Sequence, residues 1–591
     1  MSLALSAPTP RRLPRVTLLG PLLALLIWEG AAHMLSDAFV LAAPSAIIVY
    51  MIQNAGLLSR ALGVTLANGA AGFAIGNLAA IALATLAIVL PRTEALVRGL
   101  ALLIFCLPLV ATGPILRVIF GPGDWPQIVL AGLAVYYTTL IPLLVGLRAL
   151  PSGWLDLVRS YGRGRLAALI HVRAMAALPY LVAGLQIAAP AAFLGAMVGE
   201  FTGAERGMGV LTIRAMRDMN VELTWTLATL ATAVSMAIYL AIGWLAQRFL
   251  AEEPPVILAA PQAHGPGGAV GYVFNALLIL STALLLWWGG LKLLGLNPFF
   301  AKGPEEVFAA LLLDPDAATT RATLLAALGD TASFLLPGYL AGLAGGAGLA
   351  MLIILVPGIA GTAMPLAIAL RSVPIITTAP LVVLILGRGA LGTITLVAIM
   401  VFFPTFVACL QGLRQAPGRI IDVMNSYAAS QLTQLIRARI PAMLPAFFAA
   451  ARINVPASVL AVTVVEWLAT GQGIGSVMAL SASLSDYDML WSAVALVALL
   501  SALGYVAVGA VERAVLRAVI STSDACWRAC ARRGAMWRIL SWAPPSRTQL
   551  LRIWPQRLRH FVPFRLSAHL FLTGSSMARL KPPGWLRSAR R

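Results

Sequence analysis

Charge is what this chain has least of. Asp, Glu, Lys and Arg make up 11% of its 591 residues against 60% hydrophobic, and mean hydropathy is +0.89. A water-soluble globular domain does not have this composition. Lysine is nearly absent: Lys292, Lys302 and Lys581 are the only three, and none follows Gly and precedes Ser or Thr. That excludes a Walker-type phosphate loop and ATP hydrolysis by that route. The five histidines, His33, His171, His264, His560 and His569, have no paired-ligand spacing. No GxSxG elbow occurs. Of four cysteines, Cys106 and Cys409 fall in apolar stretches and Cys526 and Cys530 in a basic tail, so neither a disulfide framework nor a metal cluster is indicated. These absences argue against a catalytic centre, a metal or a cofactor.

What is there is long and apolar. A membrane span needs roughly 20 mostly apolar residues. Such stretches fall at 16–36, 62–90, 98–120, 126–147, 177–200 and 222–247, then at 270–294, 331–357, 361–386, 390–411, 444–468 and 490–512. The pattern predicts an all-α polytopic membrane protein of about twelve transmembrane helices, its first stretch an anchor too long for a signal peptide.

The two sets of six are copies. An offset of 266 pairs Thr65 with Thr331, Pro108 with Pro374, Pro114 with Pro380, and Gly146-Leu147-Arg148 with Gly412-Leu413-Arg414. It also pairs Asp156, Ser160 and Tyr161 with Asp422, Ser426 and Tyr427, and Glu200, Gly207, Gly209 and Trp225 with Glu466, Gly473, Gly475 and Trp491. Upstream the offset is 260, pairing Trp28 with Trp288 and Pro44 with Pro304. Apolar bias alone cannot align lone carboxylates, so the chain is an internal duplication. It divides into a first repeat at 1–250, a Pro- and Gly-rich linker at 251–269, a second repeat at 270–520 and a tail at 521–591. Six spans is an even number, so the repeats are parallel, not inverted.

Arginines set the orientation. Arg11, Arg12 and Arg15 precede the first stretch, and the segments after the second and fourth are also arginine-rich. Both termini are therefore expected in the cytoplasm. The net charge of +20 comes mostly from residues 521–591, with fourteen Lys or Arg against Asp524. Those cations are scattered among Trp, Pro and Leu without a nucleic-acid module, which suits a disordered extension or contact with anionic lipid.

The segment after the fourth stretch of each repeat is distinctive. It reads DLVRSYG from Asp156 to Gly162, then nine residues to Val172, with Met175 and Leu178-Pro179 beyond; the copy reads DVMNSYA from Asp422 to Ala428, then nine residues to Ala438, with Ile440-Pro441 and Leu444-Pro445 beyond. This resembles the cytoplasmic EAA loop of ABC importer permeases. Further segments, LPLVATGPILRVIFGPG, VPIITTAPLVVLILGRG, VGEFTGAERGMGVL and VEWLATGQGIGSVM, resemble the nitrate/taurine/sulfonate-type permeases of that class. The resemblance covers residues from about 20 to 515, both halves. It implies a type I, MetI-like fold and a short coupling helix that docks on an ATPase subunit. The docking positions would be Asp156, Ser160, Tyr161, Gly162, Asp422, Ser426, Tyr427, Ala428 and Pro441, with Pro441 ending the loop before the next span. The chain departs from the pattern in having Asp for Glu in both copies, Met175 for the Pro and Ala428 for the Gly.

The resemblance further implies a translocation path between the repeats, lined by their third and fifth spans. Candidates there are Thr112, Arg117, Glu200, Arg371, Thr378 and Glu466. The glutamates serve equally well as helix caps, Arg371 as a snorkelling anchor and the threonines as packing residues. The implied protein is a bacterial inner-membrane permease of two fused units, with two ATPase subunits and a periplasmic solute-binding protein as partners, carrying a small anion or organic nutrient. Alternatives are an ion-gradient-driven transporter of two six-span halves, a fused iron- or thiamine-type permease, and a polytopic membrane enzyme.

Overall fold

The computed structural model describes residues 19–34, 41–150, 152–162, 164–249, 269–359, 382, 385–387 and 389–532. No strand occurs among them. Among the described residues nine helices are long and apolar enough to cross a membrane, or ten if the pair bent at 96° counts as one span. Of the twelve expected stretches, the first is described over Leu19–Met34, sixteen residues, and 361–386 falls almost wholly outside the described residues.

In the first repeat, α1 (Leu19–Met34) and α2 (Pro44–Gln53) lead into α3 (Ala55–Val89). The third span is broken. Its arm α4 (Glu94–Phe105) follows a short turn at Pro91–Thr93, and α5 (Leu109–Phe120) leaves it at 96°. Pro108 cannot donate an N–H and disfavours helix at the residue before it, so the chain turns at Cys106–Pro108 and resumes with Pro108 as N-cap. Then come α6 (Trp125–Gly146), α7 (Ser152–Ser160), the single turn α8 (Arg165–Ala168), α9 (Ala174–Phe201), α10 (Met208–Arg217) and α11 (Val221–Phe249). The second repeat supplies α12 (Ala269–Leu293), α13 (Pro304–Leu312), α14 (Ala317–Leu355), α15 (Ala390–Arg414), α16 (Gly418–Ser426), α17 (Gln431–Gln434), α18 (Ile440–Val465), α19 (Ile474–Leu484) and α20 (Tyr487–Arg532).

The chain divides into two compact units, Met1–Ala408 with Ala449–Ala507, and Cys409–Phe448 with Val508–Arg591. In the larger, glycines bring the second span onto the fourth in both repeats. A Cβ at Gly72 or Gly76 would lie 2.6 Å from the carbonyl of Ile128 or Gly132; one at Gly338 or Gly342 would lie 2.8 Å from Ile394 O or 2.6 Å from Ala398 O. The contacts obey the 266 offset atom for atom, and small residues are what let membrane helices approach so closely. A polar rivet sits beside each. The Thr139 hydroxyl donates to Asn77 Oδ1 at 2.6 Å, and Asn454 Nδ2 donates to Thr405 Oγ1 at 2.9 Å. The threonines match in register, but the amide comes from the second span in one repeat and the fifth in the other.

The α5 residues Ala111 and Ile115 pack with Val459, Ile474, Met478 and Leu490, while Val110 packs with Val198, Phe201 and Val464. The repeats therefore meet along an apolar seam. Trp225 faces Trp28, and its counterpart Trp491 stacks on Trp287 at 5.6 Å. Trp287, not the aligned Trp288, fills the place of Trp28; the Trp288 indole instead donates to Glu305. In the smaller unit the Gln434 amide donates to Asn425 Oδ1 and Ala429 O, fixing the turn after α16.

Candidate functional site

Three groups of polar side chains stand out in this apolar frame. The first is the pair of short helices α7 and α16. Asp156 and Asp422 are exposed on them, one in each. Trp154, Leu157 and Tyr161 follow helical spacing and are 58%, 50% and 76% exposed; their counterparts Val423 and Tyr427 are exposed too. Large apolar side chains beside a carboxylate, off the apolar spans, form a patch suited to a partner. The Ser160 and Ser426 hydroxyls donate to Leu157 O and Val423 O, each at 2.7 Å, closing the last turn.

Both helices stop at a left-handed residue. Gly162 has φ +68°, and Ala428 takes φ +50° at the matching position. The replacement of Gly by Ala thus leaves the backbone turn intact, at a steric cost of roughly 1–2 kcal/mol. Pro441 does not end the loop, contrary to expectation. The helix runs on through it, and through Pro179 and Pro190 in the first repeat. A wide π-turn precedes in each copy, Leu169–Arg173 and Leu435–Arg439, where the N–H of Ala174 and of Ile440 reaches back five residues. The missing N–H of Pro441 falls at the return to four-residue bonding. Since Met175 occupies the matching place, the π-turn does not depend on proline.

The second group repeats. Glu200 and Glu466 are 1% and 0% exposed. Glu200 accepts from the Thr65 hydroxyl at 2.7 Å and from the Gly209 N–H at 2.7 Å, while Thr65 Oγ1 accepts the Met208 N–H at 2.9 Å. In the copy, Glu466 accepts from Thr331 at 3.0 Å and Gly475 N–H at 2.9 Å, and Thr331 Oγ1 accepts the Ile474 N–H at 2.9 Å. Each Glu–Thr pair therefore caps the first two N–H groups of α10 or α19, where a carboxylate also meets the positive helix end. Gly207 and Gly473 supply the turn, at φ +126° and +82°, and a Cβ on either would lie 2.2 Å from the carboxylate. One difference remains: Glu466 Oε1 has no hydrogen-bond partner among the described residues. Both carboxylates are engaged at helix ends. Thr65 and Thr331 were visible in the register, but nothing in the sequence joined them to the glutamates.

The third group lies at the broken span. Thr112 is buried, and its hydroxyl donates to Pro108 O at 2.8 Å within its own helix. Arg117 is in the last turn of α5, its guanidinium against Gly203. Arg371 and Thr378 lie outside the described residues. At the other end of α4, buried Glu94 pairs with Arg98 at 3.5 Å and with Arg148, which follows α6. Burial, and then neighbouring Arg173, push the Arg148 guanidinium below its ordinary range. Reading the sequence alone missed Glu94, a lone carboxylate among basic segments.

The profile of the family described as "Binding-protein-dependent transport system inner membrane component" matches residues 72–251 and again 342–518. A probable ABC transporter permease protein of Haemophilus influenzae is 32% identical over 241 residues, 40% of this chain and 98% of that protein. The formylaminopyrimidine transport permease protein of Halalkalibacterium halodurans is 28% identical over 200 residues, 34% of this chain and 80% of the relative. A putative aliphatic sulfonates transport permease protein of Escherichia coli is 29% identical over 148 residues, 25% of this chain and 56% of that protein.

Proposed function

Because the chain belongs to the binding-protein-dependent transport system inner membrane component family, as two fused copies in a multi-pass membrane permease, we propose that it supplies both transmembrane halves of an ATP-driven importer. The halves are residues 1–250 and 270–520, with both termini cytoplasmic in a bacterial inner membrane. Permeases of this family work with ATPase and substrate-binding subunits. Here one ATPase docks at α7 and another at α16, and a periplasmic solute-binding protein delivers cargo. ATP-driven closure of the ATPase pair swings the halves between outward- and inward-facing states, a rigid-body change of the kind packed helices support. The cargo is a small solute. The relatives' names range from aliphatic sulfonates to riboflavin and formylaminopyrimidine, which supports a small organic anion or heterocycle.

One observation carries the docking reading. In each repeat a short helix ends at a left-handed residue and exposes an Asp beside an apolar stripe with Tyr161 or Tyr427, at the same register. Ser160, Gly162, Ser426 and Ala428 shape that surface, and Pro441 belongs to the following span. The test is Asp156→Lys with Asp422→Lys. Each reversal places a cation where the docked partner expects a carboxylate, weakening association by roughly 2–5 kcal/mol. Single variants are milder, because the second site still tethers the assembly. The double variant should insert normally and lose both ATPase copurification and uptake. Normal copurification and uptake would remove the docking assignment and favour an ion-gradient-driven transporter.

A further inference from the structure

Glu94 is a buried carboxylate paired with two arginines, Arg98 and Arg148. It is 8% exposed and opens α4; Arg98 is one turn along the same helix, Arg148 lies between α6 and α7, and Arg173, whose charge acts on Arg148, ends the π-turn at the start of the fifth span. The Glu94 carboxylate is buried, while the Arg98 and Arg148 side chains that reach it are 27% and 40% exposed to solvent. The far end of α4 is the break. Cys106 caps it, 2% exposed, and α5 departs at 96° after Pro108. From α5 onward the chain packs into the seam between the repeats, through Val110, Ala111 and Ile115. The twelve-residue helix α4 thus runs from Arg148, in the connection that precedes α7, to the break at Cys106–Pro108.

The second repeat does not keep all of these residues in its sequence. The offset of 266 keeps the arginines as Arg414 and Arg439, but Ala360 and Met364 stand where Glu94 and Arg98 do. The duplication is therefore broken at the residue that pairs with Arg148.

We propose that Glu94 is a positioning residue that couples α7 to the break at Cys106–Pro108, so that the first repeat transmits movement of its docked ATPase through a salt-bridged lever. This rests on the importer reading above. When the ATPase shifts α7, Arg148 moves with it, Glu94 follows Arg148, and α4 carries the displacement to Cys106.

The native thiol of Cys106 reports the far end of the lever. In a Cys409→Ser, Cys526→Ser, Cys530→Ser background, the complex with its ATPase subunits is reconstituted in nanodiscs, and labelling by N-ethylmaleimide is timed without nucleotide and with ATP plus vanadate. Labelling should change about tenfold between the two states, as a minor conformer of a few per cent becomes a substantial one. Glu94→Gln should reduce that response to less than about twofold, while ATPase binding and basal hydrolysis persist. The exchange Glu94→Arg with Arg148→Glu should restore it, which a merely structural role would not do, and Arg414→Gln should leave it unchanged. A full response in Glu94→Gln, failure of the exchange to restore it, or a nucleotide-insensitive Cys106 in the parent would each overturn the lever. If the parent chain holds no ATPase at all, the importer reading itself falls, an outcome distinguishable from the other three.

Discussion

Replacing Thr65 by Val keeps the shape of the side chain and removes only its hydroxyl. That oxygen holds two bonds of the first helix cap, one given to Glu200 at 2.7 Å and one received from the Met208 N–H at 2.9 Å. Both partners are buried, so the variant leaves an N–H and a carboxylate oxygen each one bond short. Such a loss costs about 1–3 kcal/mol per bond in a water-soluble core. Inside a bilayer the unfolded reference finds other partners, and measured values average about 0.6 with a ceiling near 1.7. Two bonds then give about 1–3 kcal/mol for Thr65→Val. Thr331→Val should cost less, because its bond to Glu466 is longer, at 3.0 Å, and Glu466 Oε1 already has no partner among the described residues. The assay is unfolding by SDS in bicelles, followed by tryptophan fluorescence. Combined with Glu200→Gln, Thr65→Val should show a coupling of at least about 0.5 kcal/mol, whereas Thr65→Val and Thr331→Val should add. A Thr65→Val protein within about 0.3 kcal/mol of the parent, with no coupling to Glu200, would refute the capping role.

Other outcomes follow from the same geometry. Gly207→Ala and Gly473→Ala put a Cβ 2.2 Å from a buried carboxylate at positive φ, and each should destabilise by more than about 2 kcal/mol in the same assay, in excess of the corresponding Thr→Val change. Ala428→Gly should leave stability unchanged or raise it by up to about 1 kcal/mol, relief of the left-handed cost being partly offset by chain entropy; Gly162→Ala should lower it by about 1 kcal/mol. Asn77→Leu, which installs the residue the second repeat has at Leu343, should cost about 1 kcal/mol by stranding Thr139, and Leu343→Asn should not strengthen the second repeat, whose Thr405 already receives Asn454.

Composition and repetition alone show the solvent and the duplication. Hydropathy is summed over many residues, so helices such as Trp125–Gly146 and Ala390–Arg414 lie where the apolar stretches predict. An offset that aligns Glu200 with Glu466 and Asp156 with Asp422 needs no coordinates to be seen. Span limits were less legible. The fifth spans begin at Leu169 and Gln431, earlier than 177 and 444, because a π-turn lets the helix continue through polar residues and past Pro441. Tertiary structure alone decided what the buried carboxylates do. Whether Glu200 faces a path or a helix end depends on Thr65, 135 residues away, and no local pattern encodes that distance. The same holds for Ala428, whose left-handed conformation is imposed by the turn around it against its own preference. It holds again for Glu94, an unremarkable acid in sequence until folding gathers Arg98 and Arg148 around it. Periodicity and repetition are properties of the chain, whereas charge pairing and capping are properties of the space between its segments.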